Sequence, residues 1–149
     1  MIRPAQLSDL DAIAQMRALL WPDGSVEEHR RELETTLRTG RNGTLPMITF
    51  VAEVDGSPAG FLDVGLRSHA DGCNPARPVG FIEGWFVAES FRGRGIGREL
   101  MQAAEDWSRA QGCKELASDT WIDHTDSQRA HEALGFEVVD RCVNYRKAL

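Results

Sequence analysis

Cysteine is scarce in this sequence, with three widely separated residues among 149: Cys73, Cys113 and Cys142. They form no C-x-x-C pair, and their odd number does not favour a disulfide framework. The four histidines show no metal-ligand spacing within any predicted helix. The sequence therefore indicates neither a structural disulfide nor a metal site.

Long apolar runs are also missing, and none approaches the roughly 20 residues that are needed to cross a bilayer. The first residues, Met1–Gln6, lack the apolar region of a signal peptide. We therefore expect a cytoplasmic protein with no membrane partner.

The third shortage is positive charge, because 17 Lys and Arg residues face 23 Asp and Glu residues and give a formal net charge of −6. Nucleic-acid binding draws on clustered basic residues, so this balance argues against such a partner. It is compatible with a cationic substrate, whose approach an acidic cleft accelerates. With 149 residues, 42% of them hydrophobic, the chain is expected to form a single domain over residues 1–149.

The order of predicted elements is β-α-α-β-β-β-α-β-α-β, which implies a mixed α/β sheet with helices on both faces. Asp55-Gly56 predicts a hairpin turn between two of the strands. Residues 68–78 predict a loop before the long apolar strand Val79–Val87. The last strands are predicted over Phe136–Arg146.

The most informative segment is the turn Arg92-Gly93-Arg94-Gly95-Ile96-Gly97-Arg98, which lies between that long strand and an amphipathic stretch typical of a helix. Glycines at alternate positions let the backbone approach a ligand closely and direct successive N–H groups into one concavity. The helix start adds partial positive charge, and the three arginines add donors suited to phosphate oxygens. The segment is therefore predicted to hold a phosphate.

The positions of these glycines exclude two common phosphate loops. A nucleotide-hydrolase loop requires Lys and then Ser or Thr after its last glycine, and here Arg98 is followed by a glutamate. A dinucleotide fingerprint requires a third glycine where Leu100 stands. The remaining pattern, Arg92-x-x-Gly95-x-Gly97, resembles the pyrophosphate loop of the GCN5-related N-acetyltransferases (GNAT). The resemblance implies the GNAT fold, with a central, mostly antiparallel sheet flanked by helices, and acetyl-CoA as co-substrate.

Acetyl transfer to an amine requires removal of a proton from the amine, usually by a carboxylate or by a water that it orients. Glu83 lies within an apolar strand, where a carboxylate is costly to bury without a partner or a function. It is a candidate base, and the alternative is an acid that faces the sheet edge or is paired within the sheet. Asp119 ends a predicted strand and is the second candidate, or else it caps the following turn. Gly84 beside Glu83 suggests a bulge or a splay that exposes backbone donors and acceptors to a ligand.

Aromatic residues supply the remaining candidates. Tyr145, the only tyrosine, is a candidate general acid for the departing thiolate, or else a structural aromatic on the last strand. Trp21 and Trp85 are candidates to stack on a ligand, whereas core packing or partial exposure is expected for Trp107 and Trp121.

A closer resemblance extends along the whole chain. The sequence is similar to the aminoglycoside 6′-N-acetyltransferases, and the substrate-specific part of the match lies in Leu20-Trp21-Pro22, Phe81-x-Glu83-Gly84 and Ala117-Ser118-Asp119. This resemblance implies direct transfer from acetyl-CoA to the 6′-amine of an aminoglycoside, without an acetyl-enzyme intermediate, and hence antibiotic resistance. It also implies a homodimer in which the last strand joins the partner's sheet.

The resemblance also implies which residues form the site. Glu83 and Asp119 would lie in the amine cleft as candidate bases and amine ligands, and Trp21 would border the substrate. In relatives the loop after Arg67 helps to form the drug site, and here that loop carries His69 as a candidate contact. The expected acetyl-CoA contacts are the backbone of Phe86 and Val87 and the turn residues Arg92, Gly93, Arg94, Gly95, Ile96, Gly97 and Arg98.

Two alternatives remain open in the sequence. The loop Ser68–Asp71 departs from the Asp-Tyr pair that relatives usually carry there, and His124 stands where relatives tend to have Asn. One alternative is an acetyltransferase of the same fold that acts on a polyamine, a metabolite or a protein N-terminus. The other is a non-enzymatic module that binds acetyl-CoA or the drug.

Overall fold

A six-stranded sheet organises the chain, which a computed structural model describes over residues 1–149. The spatial order is β1-β3-β4-β5-β6, with β2 paired to β3, and every pairing is antiparallel except that of β5 with β6. The predicted mixed, mostly antiparallel sheet is thus confirmed. The strands are β1 (Ile2–Pro4), β2 (Arg41–Asn42), β3 (Leu45–Val54), β4 (Ser57–Arg67), β5 (Val79–Val87) and β6 (Leu116–Ser118), and the helices are α1 (Leu10–Leu20), α2 (Val26–Thr39), α3 (Ile96–Ala110) and α4 (Thr125–Ala133).

Separate hydrophobic clusters cover the two faces of this sheet. On one face, α1 and α2 pack against β3 and β4, and Leu33 and Phe61 are fully buried there. On the other face, α3 packs against β3, β4 and β5, with Leu62 and Leu100 fully buried. Each such side chain stabilises the fold by about 1.5–3 kcal/mol. The faces therefore offer two separate surfaces on either side of the same strands.

Local signals determine where the helices begin and end. The Ser25 side chain accepts a hydrogen bond from the Glu28 backbone, and the Glu28 carboxylate accepts one from the Ser25 backbone, as the predicted cap requires. Helix α1 ends at Leu20, immediately before Trp21 and a proline that cannot continue it. The end of α1 therefore places Trp21 at the rim of the sheet face that α1 covers.

A β-bulge interrupts the pairing of β4 with β5. Asp63 pairs with Gly84 and Val64 pairs with Ile82, so Glu83 is the extra residue on β5. The bulge that Gly84 suggested is thus present. An extra residue shifts the alternation of side chains beyond it, which changes the face that each later residue occupies.

The C-terminal segment, residues 137–149, differs from the prediction. These residues are exposed and form no helix or strand, so the last strands expected over Phe136–Arg146 are wrong for the single chain. The backbone N–H and C=O groups of a strand need hydrogen-bond partners on a neighbouring strand. This segment makes no backbone–backbone hydrogen bond within the chain. None of the helices has both the length and the hydropathy of a membrane span.

Candidate active site

The parallel strands β5 and β6 separate and leave an opening in the sheet. Their pairing runs from Gly80 opposite Leu116 to Ile82 opposite Ser118, where β6 ends, whereas β5 continues to Val87. One edge of β5 beyond Ile82 therefore has no neighbouring strand, and its backbone groups are available to a ligand. Phe86 and Val87, the expected backbone contacts of acetyl-CoA, lie on this part of β5, where the Val87 carbonyl oxygen accepts a hydrogen bond from Arg92 Nε at 2.9 Å.

The bulge directs two successive residues of β5 to the face covered by α1. Ile82 and Trp85 pack in the cluster beneath α3, whereas Phe86 packs in the opposite cluster. Strict alternation would place Ile82 and Phe86 on the same face, so the reversal occurs at Glu83 and Gly84. Both of these residues consequently share the α1 face, beside the opening between β5 and β6.

Trp21 closes this part of the α1 face. A Cβ atom added at Gly84 would lie 2.5 Å from Cη2 of Trp21, so the indole edge rests directly on the glycine. The Trp21 ring centroid lies 6.3 Å from that of Phe61 and 5.9 Å from that of His29. His29 Nε2 donates a hydrogen bond to the Trp21 carbonyl oxygen at 3.0 Å, since a carbonyl only accepts. Trp21 therefore lies directly against the residue that follows Glu83, and its role at the substrate stays a prediction.

Glu83 is held by an arginine that sequence analysis did not single out. Arg67 donates from Nε to Oε1 at 2.9 Å and from Nη2 to Oε2 at 2.7 Å, and its Cζ lies 3.5 Å from the Phe81 ring centroid. Hydrogen bonding to Glu83, together with the charges of Glu83 and Asp119, raises the pKa of Arg67. The alternative of an acid paired within the sheet is thus observed for Glu83, and its role as a base stays a prediction.

Asp119 is exposed at the end of β6 and makes neither a side-chain hydrogen bond nor an ion pair, so the capping alternative is not observed. The preceding residue is fixed: Ser118 Oγ lies 2.8 Å from His131 Nε2, and His131 Nδ1 lies 2.7 Å from the Ser127 carbonyl oxygen. Because the carbonyl only accepts, this network assigns the proton to Nδ1 and makes Nε2 the acceptor of the Ser118 hydroxyl. The contact attaches β6 to α4 and thereby positions Asp119.

A buried ion pair supports the strand opposite the bulge. Asp63, 1% exposed, accepts from Arg17 Nη2 at 2.7 Å and from Thr49 Oγ1 at 2.5 Å. Removal of one partner from such a pair typically lowers the free energy of unfolding by about 3–5 kcal/mol, because the other charge is left buried and unpaired. The pair attaches α1, which carries Trp21, to the strand that opposes Gly84.

The predicted phosphate turn is present at the N-terminus of α3, on the opposite face. Gly93 and Gly95 have φ values of 74° and 85°, a backbone conformation that glycine adopts without strain, and nothing lies within 4 Å of where their Cβ atoms would be. Gly95 is the N-cap of α3 and supplies no side-chain acceptor. The free N–H groups of the first turn and the exposed side chains of the arginines therefore fit a pyrophosphate.

An indole lies between this turn and the opening in the sheet. A Cβ atom at Gly97 would lie 3.1 Å from Trp85 Cζ2, and the Trp85 ring meets that of His131 edge to face at 5.3 Å between centroids. Trp85 Nε1 is buried and has no hydrogen-bond partner. A buried donor without a partner on the path from the turn to the opening fits a ligand with amide carbonyl groups, such as the pantetheine arm.

Two of the expected site residues are not brought to the opening. Tyr145 lies in the C-terminal segment, is 92% exposed and makes no hydrogen bond. His69 lies on the loop that follows β4, exposed, with Nε2 at 3.7 Å from Asp71 Oδ1. Neither makes a hydrogen bond or an ion pair with Glu83. By contrast, Glu83 lies on β5, Ser118 before Asp119 ends β6, and Trp21 follows the last residue of α1.

Comparisons with known proteins agree with this geometry. A family model described as the acetyltransferase (GNAT) family matches residues 13–136. Two curated relatives are named aminoglycoside N(6′)-acetyltransferase type 1. The one from Serratia marcescens is 42% identical over 95% of this chain and 94% of its own, and the one from Klebsiella aerogenes is 37% identical over 100% and 97%. The solved structure of AAC(6′)-Iy in complex with the bisubstrate analog CoA-S-monomethyl-acetylneamine matches with a TM-score of 0.88 and 37% identity, over 100% of this chain and 98% of that one.

Proposed function

The chain belongs to the GNAT acetyltransferase family, and from that premise we propose that it transfers the acetyl group of acetyl-CoA to the 6′-amine of an aminoglycoside. The observation that carries the proposal is the arrangement around β5, with an acidic and aromatic cleft on one face and a glycine–arginine turn on the other. The relatives named for this reaction, and the neighbouring structure with a CoA–aminoglycoside analog, support it. The proposed compartment is the cytoplasm, where acetyl-CoA is available, and the proposed result is antibiotic resistance.

Acetyl-CoA is proposed to bind on the α3 face. The pyrophosphate would meet the backbone of Gly93, Gly95, Ile96 and Gly97 and the side chains of Arg92, Arg94 and Arg98, while the pantetheine arm would run along the free edge of Phe86 and Val87. Gly95→Asp should weaken acetyl-CoA binding at least tenfold, because its φ of 85° disfavours other residues and the new carboxylate repels phosphate. Calorimetric titration measures this, and an unchanged affinity would contradict the assignment.

The amine is proposed to bind on the α1 face, against Trp21 and the carboxylates of Glu83 and Asp119. One of these acids, or a water that it orients, takes a proton from the amine, whose nitrogen then attacks the thioester carbonyl carbon. The carbon–sulfur bond breaks, and the thiolate of CoA leaves and gains a proton, for which Tyr145 is the proposed donor. The acetyl group passes directly to the amine, so no residue of the chain carries it.

A homodimer is proposed because the C-terminal segment has strand-forming side chains and no ladder in its own chain. Val138, Val139, Val143 and Tyr145 are between 57% and 92% exposed, and a partner's sheet edge would cover them and bring Tyr145 into a folded environment. Val143→Asp should shift the protein from dimer to monomer in sedimentation equilibrium. A wild-type monomer at micromolar concentration would refute the proposed dimer.

The proposed function is tested by thiol release from acetyl-CoA. Kanamycin and tobramycin, which carry a free 6′-amine, should support turnover, whereas spermidine and a lysine-containing peptide should not. Turnover with only the last two would favour an acetyltransferase for another amine. Tight acetyl-CoA binding without turnover of any amine would favour a binding module.

The proposed acids are tested separately from the cofactor site. Glu83→Gln and Asp119→Asn should each lower kcat/KM for the drug by at least tenfold and leave the affinity for acetyl-CoA unchanged, because both lie on the amine side. Asp126→Asn serves as a control, since Asp126 is an exposed acid on α4 that pairs only with Arg129. Normal turnover by both site variants would show that these acids have been assigned wrongly.

A further inference from the structure

The guanidinium of Arg67 occupies the mouth of the amine cleft. It forms a two-point hydrogen-bonded pair with Glu83, with distances of 2.9 and 2.7 Å, and rests on the Phe81 ring. The side chains of Arg67 and Glu83 are 41% and 26% exposed, so water and solutes reach the pair. The pair is thus part of the accessible site rather than of the core.

The contact resembles the one that the substrate itself would make. A substrate ammonium group approaches a carboxylate with positively charged N–H donors, and Arg67 already presents such donors to both oxygens of Glu83. Arg67 also halves the negative charge that the cleft presents, since Glu83 and Asp119 together carry two charges and Arg67 cancels one. Asp119 has no ion pair and keeps its charge.

We propose that Arg67 is a specificity-determining residue that occupies Glu83 in place of a substrate ammonium group, so that a cationic amine reaches Glu83 only by displacing it. The inference rests on the function proposed above. Asp119, with its unpaired charge, attracts the amine first. A polycation gains from Asp119 as well as from Glu83 and displaces Arg67, whereas a simple monoamine does not gain enough to do so.

Removal of the Arg67 charge should strengthen the binding of a cationic drug. Arg67→Met keeps an apolar side chain over Phe81 and removes the competing cation, so Glu83 is free. Kanamycin should then bind about five- to tenfold more tightly at low ionic strength, as expected for one further charge a few ångströms away in a partly solvated site. The gain should shrink as salt is added, because exposed charges are screened.

The experiment is calorimetric titration of the CoA-bound protein with kanamycin at two salt concentrations. Arg67→Lys should bind about as wild type does, because the competing charge remains. The double variant Arg67→Met with Glu83→Gln should have the salt dependence of wild type, because its net site charge is the same. The control Arg109→Met removes an arginine that pairs at 2.9 Å with Glu105 and Asp106 on α3, across the sheet, and should change nothing.

Unchanged or weaker binding of kanamycin to Arg67→Met would overturn the proposal, since Arg67 would then be either neutral or a direct ligand of the drug. A wild-type protein that neither binds nor acetylates kanamycin would instead refute the proposed function. The two failures are therefore distinguishable. Thermal melting of each variant in parallel shows whether it remains folded at the temperature of the titration.

Discussion

Gly84→Ala is expected to damage the amine site through a single methyl group. The added Cβ would lie 2.5 Å from Trp21 Cη2 and 2.8 Å from Cζ2. Carbon atoms in contact normally lie about 3.5–4.0 Å apart, so the indole has to withdraw by about 1 Å or more. Gly84 does not have a positive φ, and the expected effect is therefore steric rather than a result of backbone strain.

The stability cost follows from the packing around the indole. Trp21 is half-buried and packs on its inner side against the rings of Phe61 and His29, so the indole has to move outward and lose part of these contacts. Overpacking of this kind costs about 1–3 kcal/mol. For a domain of this size, that corresponds to a fall in Tm of roughly 2–12 °C.

The functional effect should be confined to one of the two substrates. Because Trp21 borders the proposed amine cleft, KM for kanamycin should rise about tenfold in Gly84→Ala, since the displaced indole loses binding contact with the drug. KM for acetyl-CoA should not change, because the glycine turn lies on the opposite face. Steady-state thiol release with each substrate varied in turn measures both constants.

Gly65→Ala is the matched control. Gly65 lies on the neighbouring strand β4, and a Cβ atom there would meet its nearest neighbour, the Pro46 carbonyl oxygen, at 3.4 Å, an ordinary contact. It should therefore keep both the Tm and the kinetics of wild type. If Gly84→Ala loses stability but keeps its KM for kanamycin, Trp21 does not border the amine. If Gly84→Ala keeps both its stability and its KM for kanamycin, the predicted clash between the added Cβ and the Trp21 indole is refuted.

Further predictions concern charge and burial. Arg17→Met should lower the free energy of unfolding by about 3–5 kcal/mol in urea titration, because Asp63 would be left buried without its cation; a loss below 1 kcal/mol would contradict this. Hydrogen bonds from Arg3 hold the pKa of Asp9 below its usual range, so this pair contributes stability above about pH 4 that is lost as the pH falls further. Arg3→Met should therefore reduce the acid dependence of the unfolding free energy, and an unchanged profile would refute the linkage. Burial raises the pKa of the Cys73 thiol, so less of it is the reactive thiolate at pH 8. Mass spectrometry should therefore show slower alkylation of Cys73 by iodoacetamide than of free cysteine, and an equal rate would contradict the raised pKa.

Features with a local cause were predictable from the sequence. The cap at Ser25, the end of α1 before Trp21 and the glycine turn before α3 each depend on residues a few positions apart. The fold class followed from the order of such elements. The bulge was predictable because Gly84 stands next to a carboxylate in an apolar strand, which is an unusual combination.

Features that depend on register or on a partner were not predictable. Arg67 and Glu83 are 16 residues apart and meet only because β4 and β5 pair in one particular register, so nothing local in the sequence connects them. Only a weak indication of this pair was present in the sequence, since an arginine at the end of one strand can face an acid in the next strand. The prediction of the last strand was wrong for a different reason. Its side chains favour a strand, but its backbone has no neighbouring strand to pair with in the single chain.

The bulge explains why one strand can serve both substrates without their sites interfering. In a regular strand, residues 82, 84 and 86 would face α3 together, and Glu83 would share the α1 face with Trp85. The extra residue places Glu83 and Gly84 in succession on the α1 face and returns Trp85 to α3. The amine side thereby gains an acid and a flat surface for Trp21, while the acetyl-CoA side keeps its indole against the turn. Removal of the bulge would consequently disturb both substrates, whereas Gly84→Ala should disturb only the amine.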